Sequence, residues 1–214
     1  MTPDDFLTLA APAEIQTRVK ASVFLAFATA IADEAEAKAI LAERERRMWD
    51  ANHHCYAWKL RSGAARAADA GEPSGSAGAP ILAAIEGAGL VDTLVVVTRW
   101  FGGTKLGVGG LVRAYGDAAA EALAAAPKRV GTRAARLRVR YGYEHTAPVM
   151  RALERAGAAE MEHGYADGGA AGIVEVSIPA SGFDALADEL REATAGAVAP
   201  EPAGAAVLYR NAIR

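Results

Sequence analysis

The 214-residue chain contains one cysteine, Cys55. A disulfide framework is excluded, and a cysteine-rich zinc site cannot form within one chain. Aromatic residues make up 7% of the sequence, too few for an extended base-stacking platform. No apolar run approaches the roughly 20 residues that span a bilayer. The first residues, Met1-Thr2-Pro3-Asp4-Asp5, are acidic where a secretory signal is basic. The expectation is a cytoplasmic protein with no membrane partner. Nothing in the pattern calls for a cofactor or a metal.

Hydrophobic residues make up 52% of the chain, with a large share of alanine, which suits helices packed closely on a sheet. The length allows two domains of roughly 100 residues each. Formal net charge is −3, but it is unevenly spread. Residues 1–127 carry 12 Lys/Arg against 15 Asp/Glu, and residues 141–214 carry 5 against 11. Between them, Lys128 to Arg140 holds 6 basic groups and no acid. The sequence reads as two acidic bodies joined by a basic band.

Hydrophobic periodicity predicts paired strands over 14–20 and 22–28, and a helix from Asp33 to about Met48 opened by an Asp33/Glu36 capping box. A strand is expected over 53–60, a long loop over 61–80 and a short helix over 81–86. Leu94-Val95-Val96-Val97 reads as a strand buried on both faces. A helix from Gly110 then stops at Pro127. The second half reads strand–helix–strand–strand–helix–strand, the ferredoxin-like βαββαβ order. The expected class is α+β with two domains, an N-terminal α/β sandwich over 1–130 and a ferredoxin-like domain over 131–214.

Arg99 to Arg113 places five glycines, Gly102, Gly103, Gly107, Gly109 and Gly110, between a strand and a helix. Glycine permits positive φ and close backbone approach, and a helix start offers unpaired N–H groups to an anion. Lys105 and Arg113 add full charges. Neither Gly-x-x-x-x-Gly-Lys-Ser/Thr nor the dinucleotide fingerprint is present, which argues against an ordinary nucleotide loop. In His53-His54-Cys55, strand alternation puts His53 and Cys55 on one face and His54 with Tyr56 and Trp58 on the other. His53, Cys55 and Glu72 are the candidates for catalysis. Glu72, Ser74 and Ser76 sit in a Gly/Ser-rich loop whose length suggests a binding role. Arg136, Arg138 and Arg140 alternate on one strand face, where arginine forks can meet phosphate or carboxylate; a solvated edge is the competing reading.

Three stretches together resemble the YigZ/IMPACT family. They are His53-His54-Cys55-Tyr56-Ala57-Trp58, Gly71-Glu72-Pro73-Ser74-Gly75-Ser76-Ala77-Gly78, and Arg99-Trp100-Phe101-Gly102-Gly103 through Lys105-Leu106-Gly107 to Gly109-Gly110-Leu111-Val112-Arg113-Ala114-Tyr115. The resemblance is close over about 12–127 and looser beyond. Val23 stands where the family usually has arginine, Ala70 where it tends to a second acid, and Ala79 where a lysine is common. The resemblance implies an N-terminal sandwich like those of ribosomal and elongation-factor domains, and a C-terminal domain like the last domain of elongation factor G. It also implies a role in translation, with RNA, the ribosome or a translation-regulatory protein as partner. Three functions follow as expectations: a translation-associated protein contacting RNA phosphate or a ribosomal or factor surface; a hydrolase using Glu72 and the Gly102–Gly110 turn, if both line one pocket; and a pure protein-interaction regulator. The oligomeric state is not legible.

Overall fold

The structure is a computed structural model describing residues 1–213. In chain order the strands and helices are β1 (Asp5–Leu9), β2 (Ala13–Val19), β3 (Ser22–Ala30), α1 (Glu34–Arg47), β4 (His53–Lys59), β5 (Ala65–Ala68), α2 (Gly78–Gly87), β6 (Thr93–Trp100) and α3 (Val108–Ala125). They continue as β7 (Lys128–Tyr141), α4 (Thr146–Arg155), β8 (Ala159–Ala166), β9 (Ala171–Pro179), α5 (Phe183–Ala193) and β10 (Pro200–Ile213). The chain divides into two compact units, one of Leu7–Val130 and one of Met1–Phe6 with Gly131–Arg210. The fold is α+β.

The first unit is built on a sheet of order β2-β3-β6-β4-β5, with antiparallel neighbours throughout. Because side chains alternate across a strand, the apolar run of β6 serves two cores. Val95 and Val97 face α2 and α3 with Phe24, Cys55, Ile81, Ile85, Leu111 and Tyr115. Leu94 and Val96 face α1 with Ile31, Ala37 and Trp58. The result is a helix–sheet–helix sandwich. The α1 start carries the expected box: Asp33 accepts from the Glu36 N–H at 2.8 Å, while Glu36 accepts from the Ala32 N–H at 2.6 Å.

The second unit has the ferredoxin-like order. β7 lies between β10 and β9, and β8 forms the far edge, with β7–β9 and β8–β9 antiparallel. Leu137, Val139, Val174, Val176 and Ile178 pack under Val149, Leu153, Leu186 and Leu190 of α4 and α5. Residues 1–6 belong here. The Asp4 carboxylate accepts from the Ser181 N–H at 2.8 Å and its hydroxyl at 2.6 Å. These bonds hold its pKa below the ordinary value against the opposing effect of burial. Asp5 accepts from Thr132 at 2.7 Å and pairs with Arg210.

Several elements depart from the sequence reading. The expected 61–80 loop contains the edge strand β5, paired with Tyr56–Lys59 of β4. α2 begins at Gly78, and α3 at Val108, each ahead of the periodic apolar residues that marked it. Thr146 starts α4, its hydroxyl donating to the Tyr143 carbonyl.

Candidate functional site

Register brings the site together. Arg99 of β6 pairs with Phe24 of β3 on one side and His53 of β4 on the other, so all three side chains share the face turned to α2 and α3. Directly past β6, the chain turns through Gly102, where any side chain would overlap the carbonyl of Ala21. It reaches α3 through Gly107, whose φ of 73° lies in the left-handed region that glycine tolerates. No side chain caps α3, whose first backbone bond runs from the Leu111 N–H to the Gly107 carbonyl at 2.9 Å. The N–H groups of Val108, Gly109 and Gly110 therefore precede the helical ladder.

The loop after β5 supplies the opposite wall. Asp69 organises it by accepting from the N–H groups of Gly75 (2.8 Å), Ala77 (2.9 Å) and Gly78 (2.8 Å). Burial raises the pKa of Asp69, but these backbone donors outweigh it and leave it lowered. Ser76 is buried and donates to the Pro73 carbonyl at 2.6 Å, so its role is internal to the loop, while Ser74 is exposed.

Glu72 thereby reaches inward. Its side chain is 4% exposed, and Oε1 accepts from Arg99 Nη1 at 2.5 Å and from the Tyr115 hydroxyl at 2.7 Å. Arg99, 5% exposed at its side chain, also donates to Ser22 Oγ at 3.2 Å. It lies 5.4 Å from the Phe24 ring centre and 5.5 Å from that of Phe101. His53 Nδ1 lies 3.0 Å from the Ala70 carbonyl, which fixes the proton on that nitrogen and aims Nε2 at Glu72 Oε1, 3.8 Å away.

These walls enclose an open cleft of about 460 Å³. Its lining includes Asn52, His53, Glu72, Arg99, Lys105 and Gly107 as polar or backbone surface. Pro73, Phe101, Leu106, Val108 and Leu111 supply apolar walls. The Glu72 loop and the glycine turn thus meet in one pocket, the condition set for a hydrolase. Gly109 and Gly110 fall in the first turn of α3, Gly103 lies in the exposed turn, and Arg113 folds its guanidinium back beside Gly109.

Other candidates are placed differently. Cys55 is buried in the core, its thiol donating to the Asp69 carbonyl at 3.0 Å. Burial, with the charges of Glu72 and Asp69, pushes its pKa up to about 12 despite the Tyr115 bond, so it is no thiolate at neutral pH. Burial is also the main reason that the Tyr115 pKa is raised, with Cys55 and Glu72 adding to it. Arg136, Arg138 and Arg140 belong to the other unit, and each faces an acid. Arg136 lies 3.7 Å from Glu162 and 3.8 Å from Glu175, Arg138 lies 2.6 Å from Glu175, and Arg140 pairs with Asp167. The sequence marked Tyr115 as the end of the glycine-turn motif without giving it a role, and did not mark Asn52, whose Oδ1 accepts from the Phe101 N–H at 2.7 Å. Ser22, beside the departing Val23, was not among the candidates either. The signal for Asp69 was an acid immediately before a glycine-rich loop.

Among the described residues no cluster of three or more His, Cys, Asp or Glu side chains is arranged to hold a metal, and no helix is long and apolar enough to cross a membrane. Residues 20–123, which carry this entire cleft, match the Impact N-terminal domain. These residues belong to the IMPACT family. The chain is 38% identical over 120 residues to IMPACT family member YvyE of Bacillus subtilis (strain 168), covering 55% of each chain. Against IMPACT family member YigZ of Escherichia coli (strain K12) it is 37% identical over 124 residues, 56% of this chain and 61% of the relative. An IMPACT family member in the pol 5′ region of Thermus thermophilus is 52% identical over 110 residues, 51% of this chain and 59% of that one. The chain therefore matches under two thirds of the length of these relatives. The fold extends further: a crystal structure of a hypothetical protein superposes with a TM-score of 0.66 at 27% identity, covering 93% of this chain and 97% of the other.

Proposed function

We propose that this protein is a translation-associated regulatory binding protein, and that the cleft of the Impact domain is its contact with a ribosomal or translation-factor protein. The observation that carries this reading is the joining of Lys105 and the uncapped α3 start to apolar walls in one concave site. Concave, mostly apolar sites with a few convergent polar groups are the usual form of a recognition pocket. RNA phosphate needs a net cationic surface, whereas Arg136, Arg138 and Arg140 are each opposed by a carboxylate. The family's general association with translational regulation supports the same direction.

The test is association of the purified protein with bacterial ribosomes, isolated ribosomal RNA and purified translation factors. Lys105→Ala should weaken binding to a ribosomal or factor target at least tenfold, and the triple replacement Arg136→Ala/Arg138→Ala/Arg140→Ala should leave it within twofold. Strong binding to naked RNA, with a salt dependence that falls in the triple variant, would overturn the assignment in favour of phosphate contact.

A hydrolase acting on a small phosphorylated or peptide-like molecule is a second reading. It draws on one observation, the meeting of His53, Glu72 and the free α3 N–H groups in the same cleft. The carboxylate oxygen nearest His53 is already engaged by Arg99 and Tyr115, and Cys55 is a protonated core thiol, so neither Glu72 Oε1 nor Cys55 stands as an activated nucleophile. Turnover of phosphate or carboxylate esters that disappears in His53→Gln would favour this reading.

A further inference from the structure

We infer that the cleft captures the C-terminal end of a partner polypeptide. The terminal carboxylate would sit on the α3 N–H groups beside Lys105, and an apolar last side chain would lie between Leu106, Val108, Leu111 and Phe101. The inference rests on the reading of the cleft as a recognition site and specifies its ligand.

Three separate features of the cleft select this chemistry. The first is the anion end. Gly107 holds the chain at positive φ, and the first N–H groups of α3 have no side-chain cap among the described residues, with Lys105 in the same lining. Backbone donors in such an arrangement hold a terminal carboxylate as readily as a phosphate.

The second is the walls. Phe101 is 44% exposed and Val108 57% exposed at the mouth, while Leu111 is buried behind them. Exposed apolar side chains gathered around an anion site give an inorganic phosphate or an RNA backbone nothing to bury against them. A C-terminal leucine, isoleucine, valine or phenylalanine covers them.

The third is the floor, which is independent of the helix. The Arg99 side chain is 5% exposed and lies in the wall of this cleft, yet its Nε has no hydrogen-bond partner among the described residues. Glu72, also in the wall, takes its hydrogen bonds from Arg99 and Tyr115 on Oε1, so Oε2 is the oxygen left for a donor. A donor and an acceptor on two buried residues that both line the cleft suit the carbonyl and the N–H of a peptide group. Arg99 and Glu72 also neutralise each other, so the charge that selects the ligand is that of Lys105 and the helix start. This favours a monoanion. A volume of about 460 Å³ admits a terminal residue and its neighbour rather than a folded surface.

The experiment uses the full chain and amide-resolved NMR titration with four probes. These are a tetrapeptide ending in leucine with a free carboxylate, the same peptide as its C-terminal amide, a counterpart ending in glycine, and inorganic phosphate. The free-acid leucine peptide should shift the amides of Gly107 to Leu111 and bind at least tenfold more tightly than the amide and severalfold more tightly than the glycine peptide. Lys105→Ala should weaken it severalfold. Val108→Asp should do the same, since it puts a negative charge beside the carboxylate. Both positions are exposed, and an acid in the first turn favours a helix, so neither variant endangers the fold.

Equal binding of acid and amide would overturn the inference. So would phosphate or the glycine peptide competing as well as the leucine peptide, which would mark a simple anion site. If the peptides fail to bind while Lys105→Ala still abolishes ribosome or factor association, the terminal-carboxylate inference falls and the recognition reading stands. If Lys105→Ala affects neither, both fall.

Discussion

Replacing Glu72 by Gln keeps the shape of the side chain but removes the charge opposite Arg99. The guanidinium stays in place, 5% exposed, with a neutral amide where a carboxylate stood at 2.5 Å. Breaking a buried ion pair by removing one partner costs about 3–5 kcal/mol, because the surviving charge is left uncompensated. Ser22 and the rings of Phe24 and Phe101 still contact Arg99, which places the expected loss near the lower end, about 3 kcal/mol. Against a typical domain stability of about 5–15 kcal/mol this is a large fraction. Urea unfolding followed by tryptophan fluorescence reads it, since Trp58 is buried in the same unit. The double replacement Glu72→Leu/Arg99→Met removes both charges, so it should cost less than Glu72→Gln alone. A loss below about 1 kcal/mol for Glu72→Gln, the range of exposed pairs, would refute the buried-pair argument. A double variant that costs the sum of its single replacements would refute it as well.

Four other outcomes are expected. The lowered pKa of Asp69 adds stability that is present above the unfolded carboxylate pKa, about 4, and is lost as pH falls through the folded value. The stability gap between wild type and Asp69→Asn should therefore close on acidification, and a pH-independent gap would contradict the loop assignment. Cys55, with its pKa pushed up to about 12 and its thiol in the core, should alkylate far more slowly in the native protein than after unfolding, as read by mass spectrometry with iodoacetamide. Gly102→Ala forces a methyl into the Ala21 carbonyl and should destabilise by about 1–3 kcal/mol in the same urea assay. Tyr115→Phe removes a donor to the Glu72 carboxylate and should cost about 1.5–3 kcal/mol, the range for bonds to charged groups.

Much of the fold was legible because local signals agreed with tertiary demands. The apolar run of β6, the Asp33/Glu36 box and the alternation of His53 and Cys55 each have one physical interpretation, and the structure carries all three. Ala65–Ala68 was not legible. Ala-Arg-Ala-Ala has no strand preference of its own and becomes β5 only because β4 offers an unpaired edge at Tyr56–Lys59. The start of α2 was hidden for a related reason. Gly78 and Pro80 read as loop residues, yet Pro80 stands in the first turn, where its missing N–H breaks no helical bond.

The basic band shows what a one-dimensional charge count misses. Six cations without an acid over Lys128 to Arg140 look like a binding stripe. The acids that answer them lie far along the chain, and only register brings them near: Arg138 stands directly opposite Glu175, while Arg140 meets Asp167 beyond the end of β8. Register also explains the cleft, in the opposite direction. His53-His54-Cys55 and the Arg99 glycine turn are separated by more than forty residues, and nothing in either segment specifies the other. The antiparallel pairing of β4 with β6 sets His53 against Arg99. The Asp69-bound loop then lowers Glu72 onto both. Two acids of one loop thus have different tasks, Asp69 shaping the backbone and Glu72 meeting the strand. The glycine turn therefore acts as one wall of a cleft whose other wall depends on Asp69, so a ligand held at α3 should lose affinity when Asp69 is replaced, although Asp69 does not line the cleft.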